Sequence, residues 1–350
     1  MNPEVAHITP TTIEEILSQP AAWHTALAQL DRDSAQGRGT LPDLDGMEVV
    51  LTGCGTSYYL PLVAASLYTA STHLLARGVP ASDILTYPDA VFPQDKRYLL
   101  VAISRSGKTP ETIGAAGYVK ERRGGETLAI SCAAGTELSG LCDRAVILPE
   151  AGESTRFMTR SFSTMLLAWQ YLVGLKTADA AYLDGLHKLP GCAEKVIRTW
   201  ETGLKRLAEV GDFNQYVYLG QGPFYGLAAE SMLKIKEMAR TPAEAYHSME
   251  LMHGPRYSVD DRTLVTVLMS DGARASEIEL LPKLKKMGAT VVVICEFSAP
   301  EIAAAADYVV ELRSGLPELV RLPLFIVVTQ LFAYHRAIAT LDKTVGAFRG

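Results

Sequence analysis

Residues 49–60 read VVLTGCGTSYYL, and residues 216–227 read YVYLGQGPFYGL. Each segment is an apolar run of strand length that leads into a glycine-rich turn and then into a helical pattern. Gly53 and Gly220 hold the same place in the two segments, 167 residues apart (220 − 53). The match predicts that one strand–turn–helix unit is used twice in this chain.

A second pair of segments supports the duplication. Residues 143–150 (DRAVILPE) match residues 307–314 (DYVVELRS), 164 residues apart (307 − 143). Strand-length apolar runs alternate with helical patterns in both halves, which is typical of a parallel sheet covered by helices on both faces. The fold class is therefore α/β, with two tandem flavodoxin-like three-layer α/β/α units. Eight strands are predicted, at 47–52, 98–104, 127–131, 145–148, 216–219, 263–269, 290–295 and 308–312.

The regions outside the strands set the predicted domain boundaries. Residues 12–31 have the pattern of one amphipathic helix, and residues 31–46 are rich in Asp, Gly and Pro, as in a linker. We therefore expect an N-terminal helix and linker (1–46), a first domain (47–200) and a second domain (201–350).

Composition and charge exclude several classes of protein. The chain has 350 residues, 48% hydrophobic and 21% charged, so it can bury a large core. Its formal net charge of −6 argues against binding nucleic acid through overall surface charge. The five cysteines show no CxxC spacing, which suits a reducing cytosol rather than a disulfide scaffold or zinc ribbon.

Targeting and cofactor signals are also missing from the sequence. The N-terminus shows no signal peptide pattern. The longest apolar stretch near the end, 322–328, is interrupted by Thr329 and Gln330 and is too short for a membrane span. No HExxH or similar ligand spacing occurs, so no metal is indicated. We expect a cytoplasmic protein that binds neither nucleic acid nor membrane and that uses no cofactor.

Two turns in the first half are candidate anion-binding elements. They read GCGTS at 53–57 and SRSGKTPET at 104–112, and each follows a predicted strand. Thr109 as N-cap followed by Pro110 marks a helix N-terminus. Free backbone N–H groups there, together with hydroxyl side chains, suit a phosphate, although a capped turn without any ligand uses the same residue types. The spacing is not that of a Walker A loop.

The second half provides an internal control for this interpretation. There GQGPF (220–224) replaces GCGTS, and SDGARA (270–275) replaces SRSGKT. Most hydroxyls are lost, and Asp271 would repel a phosphate. Turn geometry alone does not require this difference, so we expect the first copy to bind an anion and the second copy to have another task.

One helix of the second half carries charges on an otherwise apolar surface. In residues 226–240, Glu230, Lys234 and Glu237 fall within about 60° of each other at the helical angle per residue. Because nearly every other position is apolar, the charged sector is expected to line a cavity; a row of surface ion pairs is the alternative. His253 precedes Gly-Pro in a nearby loop and could act as an acid–base group near neutral pH, although most single histidines are structural.

Together these residues resemble the sugar isomerase (SIS) family. The resemblance is to the isomerase half of glucosamine-6-phosphate synthase and to stand-alone amino-sugar phosphate isomerases and deaminases, and it implies a double-SIS fold that is usually dimeric and binds a hexose 6-phosphate. Its motifs extend over most of the chain: EEILSQP (14–20), GCGTS (53–57), SRSGKTPET (104–112), TRSFSTMLLA (159–168), ESMLKIKEM (230–238) and AEAYHSMELMHGP (243–255).

The resemblance also implies which residues contact the substrate. The phosphate would be held by Ser104, Arg105, Ser106 and Thr109, and the sugar would be flanked by Cys54, Thr56 and Ser57. Arg105 stands where the synthase has a glutamine, and Lys108 where it has an acid. Both departures add positive charge beside the phosphate.

For catalysis, the resemblance implies three residues. Glu237 matches the proton-shuttling carboxylate, Lys234 its neighbouring lysine, and His253 the ring-opening histidine, which in the synthase comes from the partner subunit. A homodimer would then complete the site. Aldose–ketose interconversion needs such a set: a carboxylate that moves a proton between C1 and C2, a cation for the developing oxyanion, and an acid–base group for the ring oxygen.

The expected function is a phosphosugar isomerase that acts on an amino sugar 6-phosphate or a related ketose 6-phosphate, with or without deamination. The glutaminase domain of the synthase is not seen in this sequence, so we expect no glutamine-dependent synthesis. Two alternatives remain: a deglycase that splits a fructosamine 6-phosphate, and a non-catalytic sugar-phosphate-binding regulator. The sugar epimer, the leaving amine, the reaction direction and any contribution of Lys343 are left open.

Overall fold

The computed structural model describes residues 8–42, 44, 46–93 and 96–347. The chain forms two compact units. We call them the first-repeat unit (Ser18–Ser154 and Met158–Pro190) and the second-repeat unit (Met1–Leu17, Thr155–Phe157 and Gly191–Gly350). The domain boundaries predicted above stay a prediction.

The first half of the chain contains, in order, α1 (Pro10–Leu17), α2 (Gln19–Ala35), β1 (Met47–Gly53), α3 (Thr56–Thr72), β2 (Ala76–Pro80), α4 (Ala81–Thr86), α5 (Pro88–Val91), β3 (Arg97–Ile103), α6 (Pro110–Tyr118), β4 (Glu126–Ser131), α7 (Glu137–Leu141), β5 (Arg144–Ile147) and α8 (Arg160–Thr177). The second half contains α9 (Ala180–Glu209), β6 (Gln215–Gly220), α10 (Pro223–Lys234), β7 (Ala243–Tyr246), β8 (Thr263–Leu268), α11 (Arg274–Lys286), β9 (Thr290–Cys295), α12 (Pro300–Ala305), β10 (Tyr308–Glu311) and α13 (Glu318–Ala347). Short π-helices extend α6 (Val119–Arg123) and α10 (Ile235–Ala239), and 3₁₀ turns occupy Pro149–Ala151, Glu250–Met252 and Pro255–Ser258.

Each unit is built on one five-stranded parallel sheet. The strand orders are β2-β1-β3-β4-β5 and β7-β6-β8-β9-β10, which are the same order in the two copies. The predicted α/β class with two parallel sheets flanked by helices is confirmed. In this order the chain changes direction across the sheet between the first and third strands of each copy, and in open α/β sheets ligands bind at the carboxyl ends of those strands.

The glycine-rich turns have nearly identical backbones in the two copies. Gly55 has φ 57° and ψ −128°, and Gly222 has φ 56° and ψ −127°. Only glycine adopts this conformation without strain. A Cβ on Gly53 would lie 2.1 Å from the Ser57 carbonyl oxygen, and one on Gly220 would lie 2.3 Å from that of Phe224. The absent side chains let each helix start directly above its strand.

Two edge strands, β2 and β7, were not predicted. Their sequences, ARGVP and AEAY, lack the apolar runs of the inner strands, and most of their residues are only partly buried or exposed. The inner strand β3 is buried at six of its seven positions. An edge strand has one neighbour and more solvent contact, so its sequence need not be apolar.

The prediction of a single helix over 12–31 was wrong. The structure has two helices, α1 and α2, because Pro20 lies in the first turn of α2, where its missing N–H cannot continue the hydrogen bonding of α1. Helix α2 also extends to Ala35, which shortens the predicted linker.

The prediction that the apolar stretch near the end is too short for a membrane span was also wrong. Helix α13 contains a segment, Glu318–Leu341, that is long and apolar enough to cross a membrane, but 72% of its most apolar window is buried inside the protein. Thr329 does not interrupt it, because Ser231 Oγ on α10 donates a hydrogen bond to Thr329 Oγ1 at 2.9 Å. Phe224 and Phe325 pack edge to face at 4.9 Å. This core helix therefore fixes α10, the helix that carries the predicted charges.

Candidate functional site

The turn at 104–109 in the first-repeat unit has the local structure predicted for an anion site. Thr109 is the N-cap of the nine-residue helix α6, and Pro110 is its first residue. The Ser104 hydroxyl accepts a hydrogen bond from Gly107 N at 3.1 Å and lies 3.0 Å from Thr109 Oγ1. Ser104 is buried, whereas Ser106 is exposed. The turn thus places hydroxyls of three predicted phosphate ligands around a helix N-terminus, which favours negative charge.

Arg105, the fourth predicted phosphate ligand, is held by a carboxylate that sequence reasoning missed. Its Nη1 lies 3.3 Å from Glu153 Oε2, and the Glu153 side chain is completely buried. Glu153 also accepts hydrogen bonds from the Thr159 backbone N–H and hydroxyl and from the Ser161 hydroxyl. Glu153 therefore anchors the arginine to the start of α8. The only signal in the sequence was an acid followed by hydroxyl residues in GESTRFMTRS.

The turn after β1 supplies the other predicted binding residues. Cys54 Sγ lies 3.8 Å from Thr112 Oγ1 on α6, so this turn contacts the helix that follows the anion turn. Thr56 and Ser57 are buried at the start of α3, and the Ser57 hydroxyl lies 3.6 Å from the sulfur of Met158. Burial raises the pKa of the Cys54 thiol, the Thr112 hydrogen bond opposes this, and Glu111 adds to it. The thiol is thus protonated at neutral pH. It can line the site but is a poor nucleophile in this form.

In the second-repeat unit, the predicted charged residues of α10 come together. Lys234 Nζ lies 3.3 Å from Glu230 Oε1 and 2.5 Å from Glu237 Oε2. Lys234 and Glu230 have fully buried side chains, whereas 35% of the Glu237 side chain is exposed. The neighbouring Lys236 is exposed. The alternative of a surface ion-pair row is therefore wrong, because two of its three members are buried.

The electrostatics of this cluster keep the lysine charged. Burial lowers the pKa of Lys234, but the carboxylates of Glu230 and Glu237 outweigh burial and raise it above the ordinary lysine value. Glu237 lies in the π-helical turn Ile235–Ala239, a distortion that is frequent at functional sites. The arrangement can hold a fixed cation beside a carboxylate that reaches solvent.

His253 is not part of this cluster within its own chain. It follows the 3₁₀ turn Glu250–Met252 and is exposed. Among the residues that the structure describes, no hydrogen bond or ion pair connects its imidazole to Lys234 or Glu237. Across those same residues, no group of three or more His, Cys, Asp or Glu side chains is arranged to hold a metal ion.

The second-repeat counterpart of the anion turn is occupied by the chain's own carboxylates. The backbone N–H of Ser270 donates to Glu277 Oε2 at 3.0 Å, and those of Asp271 and Gly272 donate to Glu318 Oε1. Asp271 also forms an ion pair with Arg321 at 2.5 Å. Sequence reasoning found Asp271 but missed both glutamates, because they lie outside the turn itself.

Fold and residues together define a duplicated, doubly wound α/β protein whose first copy has a hydroxyl-lined turn at a helix N-terminus. The model of the SIS domain family matches residues 46–174 and 212–340. The chain therefore belongs to the SIS domain family, as the sequence motifs predicted.

Known relatives include much longer enzymes. The chain is 32% identical over 324 residues to the isomerizing glutamine–fructose-6-phosphate aminotransferase of Mycolicibacterium paratuberculosis, covering 86% of this chain and 51% of that protein. It is 27% identical over 345 residues to the enzyme of that name from Caldanaerobacter subterraneus subsp. tengcongensis, covering 93% of this chain and 55% of that protein. The chain thus spans about half the length of these relatives.

Solved structures of similar length also match. The tagatose-6-phosphate ketose/aldose isomerase of Escherichia coli has a TM-score of 0.84 and 25% identity, with 95% of this chain and 94% of that chain covered. The glucosamine-6-phosphate deaminase of Thermotoga maritima has a TM-score of 0.76 and 25% identity, with 94% of each chain covered.

Proposed function

We propose that this protein is a phosphosugar isomerase that interconverts the aldose and ketose forms of a hexose 6-phosphate, with an amino sugar 6-phosphate as the preferred class of substrate. The observation that carries the proposal is the cluster of α10. A fully buried lysine is held charged between two carboxylates, and one of these, Glu237, remains open to solvent. Burial of charged groups costs free energy, and this cost is explained if the charges act on a substrate.

In this proposal the anion turn binds the phosphate. Ser104, Ser106 and Thr109 donate through their hydroxyls, the first turn of α6 donates through its backbone N–H groups, and Arg105 adds a guanidinium that Glu153 orients. Cys54, Thr56 and Ser57 flank the sugar. Both relatives of known structure described above act, by name, on sugars that carry a 6-phosphate.

Glu237 is the proposed base that moves the proton between C2 and C1. It takes the C2 proton of the open-chain aldose and returns it to C1, while Lys234 stabilises the negative charge that develops on the oxygen. With a hydroxyl at C2 the product is a ketose. With an amino group at C2 the product is a C2 imine, which water converts to the ketose and ammonia.

His253 is the proposed acid–base group that opens the sugar ring, and we propose that it comes from a second copy of the chain. His253 is exposed, and among the described residues no hydrogen bond or ion pair joins its imidazole to the cluster of its own chain; both observations support this assignment. Mixing two variants that each lose most but not all of their activity, Glu237→Gln and His253→Asn, tests it. If the histidine is donated between subunits, random hybrid dimers recover about a quarter of wild-type activity; if it acts within its own chain, none is recovered.

A substrate panel tests the reaction itself. Glucosamine, galactosamine, fructose, tagatose and fructosamine 6-phosphates are incubated with the protein in D₂O, and ketose, ammonia, released amine and deuterium at C1 or C2 are measured. We expect turnover of at least one amino sugar, with exchange lost in Glu237→Gln and retained in Lys236→Gln, a neighbouring exposed control. Thermal stabilisation by these compounds without turnover or exchange would instead indicate a sugar-phosphate-binding regulator. Amine release from fructosamine 6-phosphate alone would indicate a deglycase.

A further inference from the structure

A buried polar network connects three strand ends of the second sheet. Glu277, on α11, is fully buried, and its two carboxylate oxygens have different donors. Oε1 accepts from the Ser248 hydroxyl at 2.7 Å, and Oε2 accepts from Ser270 N at 3.0 Å. Ser248 N in turn donates to Gln221 Oε1 at 3.1 Å. Glu277 thus joins the segment after β7 to the ends of β6 and β8.

Ser248 is the first residue of the turn 248–253, which carries His253. The Glu250 N–H donates to the His247 carbonyl at 2.9 Å, and the His253 N–H donates to the Glu250 carbonyl at 3.0 Å. Leu251, inside the turn, is completely buried. The ring of His247 stacks on Tyr225 at 4.0 Å. The backbone of His253 is therefore fixed relative to Ser248, and Ser248 is fixed by Glu277.

Burying the carboxylate of Glu277 beside this turn costs free energy. Burial raises the pKa of Glu277 to about 7, the hydrogen bonds from Ser248 and Ser270 oppose the rise, and the negative charge of Glu318 on α13 adds to it. A neutral side chain that only filled space would avoid this cost. In this geometry one carboxylate accepts two hydrogen bonds, one from a side chain and one from a backbone amide, and thereby joins two different strand ends.

We propose that Glu277 is a positioning residue for His253, acting through Ser248 and the turn 248–253. This inference rests on the ring-opening role proposed for His253. Glu277 does not contact the substrate in this assignment, so its removal lowers kcat through the histidine and leaves phosphate binding unchanged.

The variants Glu277→Leu and Glu277→Gln separate positioning from space filling. Glutamine can still accept from Ser270 N and can donate to the Ser248 hydroxyl, whereas leucine can do neither. Glu279→Leu, on the exposed side of the same helix, is the matched control. We expect Glu277→Leu to lower kcat at least 10-fold with KM within twofold, and Glu277→Gln to retain most of kcat. The double variant Glu277→Leu/His253→Asn should be no slower than His253→Asn alone.

Hydrogen exchange provides a readout that does not depend on activity. Amides of the peptide 247–256 should exchange at least 10-fold faster in Glu277→Leu, while peptides of α6 and α10 keep their wild-type rates. Additive kcat losses in the double variant, or uniform acceleration of exchange throughout the second-repeat unit, would overturn the proposal. If the wild-type protein turns over no sugar phosphate, the proposed function fails, and hydrogen exchange still decides whether Glu277 anchors the turn.

Discussion

The turn after β3 and the turn after β8 share a backbone pattern and differ in what their amides bind. In both, a serine hydroxyl accepts from the amide three residues further on: Ser104 from Gly107 N at 3.1 Å, and Ser270 from Ala273 N at 3.0 Å. In the first copy the side chains of the turn itself are hydroxyls and cations, and the nearby Glu153 pairs with the Arg105 side chain. In the second copy the amides donate to Glu277 and Glu318. In the second copy the helix N-terminus receives its negative partner from its own chain, and we propose that in the first copy the partner comes from solution.

The helices that follow the first strand of each copy also differ, but here the charged side chains are in the second copy. Matching positions can be counted from Gly53 in the first copy and Gly220 in the second. Ten, fourteen and seventeen residues after Gly53, α3 carries Val63, Leu67 and Ala70. At the same distances from Gly220, α10 and its π-helical extension carry Glu230, Lys234 and Glu237. Val63 and Leu67 are completely buried, as are Glu230 and Lys234. The fold therefore accepts an apolar set at this place. The repeated fold does not itself demand charges at this place, so the charged set of the second copy is a specific feature of that copy.

Converting the charged set to the apolar one should give the largest effects on stability and activity. Lys234→Leu leaves two carboxylates beside each other without their cation, and we expect a loss of about 3–5 kcal/mol in the free energy of unfolding. The triple variant Glu230→Val/Lys234→Leu/Glu237→Ala reproduces the set of α3 and should regain most of that stability while remaining inactive. Denaturant unfolding measures both variants.

Lys236→Leu, at an exposed position two residues further along, is the control and should change stability by less than about 0.5 kcal/mol. A Lys234→Leu protein as stable as the wild type would contradict the burial of this cluster.

Removing hydroxyls from the first turn should produce the next largest effect. Each hydrogen bond to a charged group contributes about 1.5–3 kcal/mol, so Ser104→Ala/Ser106→Ala should raise KM for a sugar phosphate about 100-fold or more, with a smaller change in kcat. Steady-state kinetics measure this. Ser270→Ala, the counterpart in the second copy, should leave KM within twofold. Equal KM changes in both copies would show that the difference between the turns has no functional meaning.

The sequence predicted the fold where burial imposes a pattern. The inner strands β1, β3, β6 and β8 were found because both faces of a parallel sheet are covered, and that demands apolar runs. The edge strands β2 and β7 were missed because nothing demands such runs there. The break between α1 and α2 was missed because the apolar helical period continues across Pro20, although a proline at this place indicates the start of a new helix.

For the site, the sequence predicted residues that share one local element. Glu230, Lys234 and Glu237 lie within two helical turns, so their spacing alone brings them together. Glu153 and Glu277 were missed because each acts on partners from other elements: Glu153 reaches Arg105, 48 residues away, and Glu277 reaches Ser248, 29 residues away. Such contacts are set by the topology of the sheet, which one sequence pattern does not encode.

The second turn should also show a pH dependence of stability, because the buried carboxyl of Glu277, which accepts a hydrogen bond from this turn, has a raised pKa. The pKa of Glu277 is raised to about 7 in the folded protein, mainly by burial. Below about pH 4.5, the ordinary value for a glutamate, the group is neutral in both states and costs nothing. Between pH 4.5 and 7 the folded state binds more protons than the unfolded state, so the free energy of unfolding falls as pH rises.

Glu277→Gln should remove this dependence. Relative to the wild type, the variant should gain up to about 3 kcal/mol on going from pH 4 to pH 8, as measured by denaturant unfolding across that range. Glu279→Gln, an exposed acid on the same helix, should show no such gain. A difference between Glu277→Gln and wild type that is constant with pH would show that this carboxyl titrates normally.

The smallest effect is expected from the exposed lysine of the first turn, and it decides whether hydroxyls or net charge distinguish the two copies. Lys108 is exposed, so water and salt screen its attraction for a phosphate, and Lys108→Ala should raise KM only two- to fivefold in low salt. In about 0.5 M salt the variant and the wild type should have the same KM, because the Debye length is then shorter than the distance over which the lysine acts. Arg274→Ala, at the start of α11 beside the second turn, is the control and should not change the salt dependence of KM. A Lys108→Ala effect as large as that of the double serine variant would mean that charge, rather than the hydroxyl-lined helix start, is what separates the first turn from the second.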